Sequence, residues 1–291
     1  MLLHWDSIVL MLPLLTSLAA SGGDPTHLGQ SPPAVDAGIA QQPTAPPLTT
    51  RHSVFFPGYV SPSTTYASPI EKRNLLTTLA VEQGMAVGGA AGHIAPYASL
   101  RLSTDDQGFD WNNKAVLQVG VKYVRRISNG VIQVGTAYAI EKRLTSSFKA
   151  SQPMAFADAW FGWQNALSMR RLRPDSLPGS GWASIGNDTP AERHNVITRL
   201  YVEQGVLVAT AWGASIVPFV DVTVAADSQG HSWNNSLMFG QGLRLSRRLV
   251  GGTVEIAAMY QQERRWVDGS AAQGVGALIR MRRGWSHACS P

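Results

Sequence analysis

The sequence predicts an all-β fold, an antiparallel up-and-down β-barrel of about ten strands built from two five-strand repeats. Three observations predict it. Apolar and polar residues alternate over runs of ten or more. A block near residue 80 recurs about 120 residues later. The composition combines only 15% charged residues with 28 glycines and 9 tryptophans, which suits strands, tight turns and interfacial aromatics better than surface helices. A pair of β-sandwiches would show the same alternation with its apolar face turned inward, and stands as the alternative.

From the N-terminus, residues 1–20 read as an export signal. An apolar run from Ile8 to Leu15 precedes Ser17-Leu18-Ala19, a small-x-small cleavage pattern, although His4 and Asp6 stand where a signal usually carries Lys or Arg. Ser21 occupies the position where a lipoprotein would need Cys. Residues 21–72 are rich in Pro, Ser and Thr, with Pro32-Pro33 and Pro46-Pro47 doublets, and read as a disordered linker. Within it Phe55-Phe56-Pro57-Gly58-Tyr59 is a local apolar cluster to which no strand is assigned. Beyond the signal no run of 18 apolar residues occurs, so contact with a membrane has to be made by strands.

The first repeat is placed at 73–163, a connector at 164–193, the second repeat at 194–285 and a tail at 286–291. Thr77 to Gly84, ending Val-Glu-Gln-Gly, returns as Thr198 to Gly205 at a spacing of 121. One residue is then inserted, and from Pro96 and Pro218 onward the spacing is 122. That spacing holds for Trp111-Asn112-Asn113 and Trp233-Asn234-Asn235, for Arg125-Arg126 and Arg247-Arg248, and for Gly162-Trp163 and Gly284-Trp285. A period this long marks a duplicated sheet unit rather than a solenoid. Strands are expected near 74–84, 92–103, 114–126, 130–143 and 153–163, and again near 195–208, 214–226, 236–248, 252–266 and 273–285. Asn129-Gly130 and Gly251-Gly252 mark tight hairpins, which make successive strands antiparallel.

Within a strand such as 115–125, Ala115, Leu117, Val119, Val121 and Tyr123 fall on one face, and Val116, Gln118, Gly120, Lys122 and Val124 on the other. The second kind of face carries both charge signs. Glu82, Lys122, Glu141, Arg143, Glu203, Asp221, Arg244, Glu255 and Arg280 are the candidate lumen charges, expected to pair inside a narrow barrel. Tryptophans and tyrosines near strand ends suit an interfacial girdle. Trp111, Asn112, Asn113, Trp233, Asn234 and Asn235 form the candidate interfacial or turn motif. The oxygen-rich segments that contain it, beginning at Asp105 and Asp227, suit turns better than calcium loops, because the second copy loses acidic groups and the spacing is not that of an EF-hand.

No enzymatic site is expected. The seven histidines are scattered, there is no Gly-x-Ser-x-Gly elbow, and Val87-Gly88-Gly89-Ala90-Ala91-Gly92 lacks the strand-to-helix context and the Lys of a phosphate loop and reads as a turn or kink. Cys289 is the single cysteine, which leaves neither an intrachain disulfide nor a cysteine metal site. No cofactor and no metal are expected. The net charge of +5 arises partly from Arg pairs dispersed near strand ends rather than gathered in one stripe, so nucleic acid is not an expected partner.

Ala191-Glu192-Arg193-His194-Asn195, Tyr201-Val202-Glu203-Gln204-Gly205, Val217-Pro218-Phe219, Asp227-Ser228-Gln229-Gly230 and Trp233-Asn234-Asn235 resemble the C-terminal domain of the bacteriophage adsorption protein A family, over roughly residues 74–285. In place of the long helical-repeat region of that family, this sequence carries the Pro-rich stretch. The resemblance implies an outer-membrane protein with an envelope surface role, either exopolysaccharide secretion or phage adsorption. It implies outer-membrane lipid, polysaccharide and exopolysaccharide-export proteins as partners, and brings no catalytic residues. A secreted sandwich acting as a binding module is the alternative, and a barrel hydrolase using His93 or His231 a remote one.

Overall fold

Each alternating run forms a strand, and each strand pairs antiparallel with the next. The computed structural model describes residues 53–66, 69–70, 74–89, 92–167, 177–188, 195–250 and 252–288. The expected export signal, most of the linker, the middle of the connector and Cys289 lie outside the described residues. In chain order the strands are β1 (Ser53–Tyr66), β2 (Leu75–Gly84), β3 (Ala86–Gly89), β4 (Gly92–Asp105), β5 (Lys114–Ile127), β6 (Gly130–Arg143) and β7 (Lys149–Leu167). They continue as β8 (Leu177–Asp188), β9 (Ile197–Val206), β10 (Ala209–Ala211), β11 (Ala214–Asp227), β12 (Ser236–Leu249), β13 (Gly252–Arg265) and β14 (Ala271–Ala288). β14 pairs with β1 and β9 with β11, which closes the sheet into a barrel.

The barrel has twelve staves, with β3 and β10 as short continuations of β2 and β9, so the expected count of ten is corrected. All ten expected strands are present. The two additional staves are β1, inside the stretch assigned to a linker, and β8, inside the stretch assigned to a connector. β14 also runs into the expected tail, pairing Ala288 with Phe55. Proline hid β1. Pro57 and Pro62 offer no N–H, and the β1–β14 ladder skips Ser61 and Pro62 before resuming in register at Ser63. Glycines hid β8, whose sequence LPGSGWASIGND reads locally as a loop.

The residue inserted between the copies has a structural counterpart. In the first copy Gly84 faces Tyr97 and Val87 faces Ile94, so β3 extends β2 without a change of register. In the second, Gly205 faces Phe219 but Ala209 faces Ile216, four residues against three. The extra residue is a β-bulge, with the Val208 N–H donating to the Ile216 carbonyl at 3.1 Å.

Burial alternates along the strands as a barrel requires. In β2, Leu76, Thr78 and Ala80 are buried while Leu75, Thr77 and Leu79 are exposed. Along β5 the exposed residues include Leu117, Val119, Val121 and Tyr123, so the apolar face points out. A sandwich core would bury these side chains. Two small apolar clusters inside, Tyr97 with Ala137, Ala139 and Met154, and Phe219 with Ala257 and Met259, occupy related places in the two copies.

The two ends differ. One carries the tight connections, such as Gly89 to Gly92, Ile127 to Gly130, Ala211 to Ala214 and Leu249 to Gly252, together with the start of β1 and the end of β14. The other carries the longer loops after β4, β6, β11 and β13. Short turns at one end and longer loops at the other is the pattern of outer-membrane barrels.

Candidate functional site

All nine candidate lumen charges sit on the inward face of their strands, half-buried or buried. The structure brings six of them into three close pairs and joins Glu141 to Arg143 more loosely. Lys122 Nζ donates to Glu82 Oε1 at 2.7 Å, bridging from β5 past β4 to β2. In the second copy Arg244 takes the place of Lys122 and Glu203 that of Glu82, with Nη1 to Oε1 at 2.7 Å. Glu82 thus meets a lysine where Glu203 meets an arginine. Glu255 on β13 receives Arg280 from β14, with Nε to Oε2 at 2.8 Å and a second, shorter bond from Nη2. Asp221 lies opposite Gly240, where an added Cβ would stand 2.6 Å from its carboxylate, so the glycine makes room for the acid. Glu141 and Arg143 belong to the loop end. Arg143 reaches Asp110 at 2.9 Å and Glu141 at 3.6 Å, and stacks on Phe148 at 4.2 Å.

The two halves of the lumen are filled differently. Gln133 Nε2 donates to Asp158 Oδ2 at 3.1 Å where the second copy has Glu255 and Arg280. Trp160 stands where the second copy has Arg282. The first half therefore keeps a cavity of about 120 Å³ whose lining includes Glu82, Tyr97, Gln118, Asp158, Trp160 and Asn187. In the second half the cavity among Glu203, Arg244, Glu255, Arg280 and Arg282 is about 10 Å³. Asp158 was not singled out in the sequence. Its spacing of 122 from Arg280, a candidate charge, is the signal that points to it.

The asparagine motif forms one network twice at the loop end. Asp105 accepts from Asn74 Nδ2 at 3.0 Å, Asn112 Nδ2 at 2.9 Å, Asn113 Nδ2 at 2.7 Å and the Phe109 N–H at 3.0 Å. Asp227 accepts from Asn195, Asn234, Asn235 and the His231 N–H at 2.9–3.1 Å. Along the strand ladders Asp105 lies three residues beyond the level of Lys142, and Asp227 three beyond that of Arg264. Burial pushes each up, but the amide donors outweigh it and hold each below the ordinary 3.8. Four N–H groups converge on each carboxylate, so the motif fastens the loops. Trp111 is exposed and stacks on Phe109 with centroids 4.8 Å apart. The side chain of Trp233 lies outside the described residues.

A second duplicated motif is a Trp–Gly–Gln row on the outer face near the tight-turn end. Trp163, Gly181 and Gln204 are direct partners across β7, β8 and β9, and the indole Nε1 donates to Gln204 Oε1 at 2.8 Å. Trp285, Gly58 and Gln83 repeat it across β14, β1 and β2, with 2.9 Å between indole and amide. An added Cβ on Gly181 or Gly58 would meet the indole at 2.5 or 2.6 Å, so only glycine lets the ring lie flat across the middle strand. These rows join the two copies on both sides and close the barrel.

On the outer face, charge is confined to the ends. Arg125, Arg247 and Arg283 face out near the tight turns, and Lys142, Lys149 and Arg264 near the loops. Among the described residues, no strand carboxylate faces out. Arg125 faces Ile132, and ten residues along β6 stands Lys142; Arg247 faces Val254, and ten residues along β13 stands Arg264. Ten residues at about 3.3 Å each, tilted by about 40°, span about 25 Å. Between these rims the outer positions are apolar or uncharged. His93 faces the lumen near the tight turns, with its ring 5.0 Å from Phe55, and His231 lies in a loop at the other end. The structure thus places the two histidines on opposite rims.

Neither a family model nor a curated protein matches this chain. Among solved structures it is similar to the β domain of the Bordetella autotransporter BrkA, at 13% identity and TM-score 0.36, covering 80% of this chain and 98% of that one. It is similar to an outer-membrane channel from Pseudomonas putida F1, at 9% identity and TM-score 0.39, covering 84% and 100%. The translocator domain of the autotransporter NalP from Neisseria meningitidis is similar at 12% identity and TM-score 0.33, covering 81% and 89%.

Proposed function

We propose that this chain is a non-enzymatic outer-membrane β-barrel with an envelope surface role, the adsorption of external particles at its loop end. The observation that carries the membrane assignment is the outward apolar band of about 25 Å with cations only at its two edges, which matches the hydrocarbon thickness such barrels span. A barrel in water would scatter both signs over this face. Adsorption is favoured over transit because the second half of the lumen is occupied by Glu203, Arg244, Glu255 and Arg280. The asparagine networks hold the longer loops in a fixed shape on which a particle can dock.

Polysaccharide secretion is a second reading, favoured by the first-half cavity, where Tyr97 and Trp160 stand beside Gln118, Asp158 and Asn187. Planar rings beside amides and carboxylates are groups that suit a sugar chain.

Expression with its own leader in a Gram-negative host, membrane separation, and gels with and without boiling test the membrane assignment. An outer-membrane band that shifts on heating is expected, and a soluble band that does not shift overturns it. Loop deletions that abolish particle binding while polysaccharide export persists support adsorption, and the reverse supports secretion.

A further inference from the structure

We infer that Lys142 and Lys149, on the outer face of the β6–β7 hairpin, bind the phosphate monoester of an outer-leaflet glycolipid. The inference rests on the membrane reading above, with the loop end outward. The two lysines are direct cross-strand partners, both exposed and both on the lipid-facing side. Like charges placed directly opposite each other destabilise a strand pair. Arg143, one residue on and facing inward, is occupied by Asp110, Glu141 and Phe148, and the Arg143 N–H donates to the Phe148 carbonyl at 3.1 Å. The hairpin therefore holds the lysines together and has no carboxylate to offer them on that face. On the other side Lys142 has Ala115.

An anion between the two ammonium groups would convert repulsion into two charge-assisted hydrogen bonds. Position selects the anion. The pair lies at the loop-side edge of the apolar band, level with lipid headgroups, and Tyr138 and Ile140 below it offer an outward surface for acyl chains. Two cations suit a phosphate monoester, which carries nearly two charges at neutral pH, better than the single charge of a phospholipid diester. The second copy breaks the pattern, with Arg264 opposite Ala271, so the site belongs to one side of the barrel.

The full chain and its Lys142→Gln/Lys149→Gln variant are purified from outer membranes in mild detergent, and retained lipid is measured by native mass spectrometry. Bisphosphorylated lipid A and its dephosphorylated form serve as added probes. Two lysines near a charged headgroup predict about a thirtyfold loss of phosphorylated lipid A binding in the double variant. Arg125→Gln at the opposite rim is expected to keep it. Unchanged retention, an equal loss in Arg125→Gln, or equal binding of the dephosphorylated lipid overturns the inference. Displacement of lipid A by inorganic phosphate at millimolar concentration also overturns it, since the site is then one for free anions. If the wild-type chain neither enters the membrane nor shifts on heating, the membrane reading itself fails. A variant that inserts and shifts like wild type while keeping its glycolipid overturns only the lysine site.

Discussion

Asp227 and Asp105 tie the loops to the strands at single residues. Each carboxylate accepts from three asparagines and one backbone N–H, and its carboxyl titrates below the ordinary 3.8. A folded-state value below the unfolded one stabilises the fold above the unfolded value, and that stabilisation is lost as pH falls through the folded value. The loops are therefore expected to keep full protection from hydrogen exchange at pH 5 to 7 and to lose it below about 3.8. Asp227→Asn replaces an acceptor with an amide that turns donors toward donors. It should cost about 1–3 kcal/mol and flatten the acid dependence. The check is the midpoint of the heat-induced gel shift as a function of pH. A variant with the wild-type acid profile removes Asp227 as its source.

At the scale of elements, the bulge after β9 makes a one-residue change harmless in one place and ruinous in another. Deleting Val208 removes the residue that the second copy has in excess and restores the register of the first. Deleting Val202, six residues earlier, turns Glu203 outward and breaks its 2.7 Å contact with Arg244. The Val208 deletion is expected to give near wild-type yields of heat-shifting barrel, and the Val202 deletion almost none; equal yields would show that register is not set here. The insertion was legible as a change of spacing from 121 to 122, and the ten strands were legible from alternation. The lumen charges were legible by the same route, because a face of small and charged residues opposite Leu117, Val119 and Val121 has few places to go but inward. β1 and β8 were not, since Pro62 and the glycines around Trp182 carry local loop signals that only cross-strand pairing overrides. A count could have found them. In an up-and-down barrel, five strands per copy would place the tight hairpin at Gly130 and its counterpart at Gly252 on opposite ends. Six per copy places both on one end, where the structure has them. The Trp–Gly–Gln rows escaped the sequence because Gly58 and Gly181 follow neither the 121 nor the 122 spacing, and their likeness lies in register alone.

For the whole molecule, the distribution of charge matters more than any one contact. Among the described residues the strand carboxylates face the lumen, and the outward cations stand at two levels about 25 Å apart. Val119, exposed on the outer face of β5, lies between those levels, whereas Ala115 is the direct partner of Lys142 at the loop-side edge. In a bilayer an arginine at the midplane costs about 2–4 kcal/mol and near the interface about 0–1 kcal/mol. In water both positions would accept arginine with effects within about 0.5 kcal/mol. Val119→Arg is therefore expected to fold poorly into lipid vesicles, while Ala115→Arg, whose added cost is the roughly 0.2–1 kcal/mol of facing Lys142, folds close to wild type, measured as the heat-shifting fraction against urea concentration. Equal behaviour of the two variants would mean that no hydrocarbon surrounds β5, and the apolar band would then have to be covered by protein.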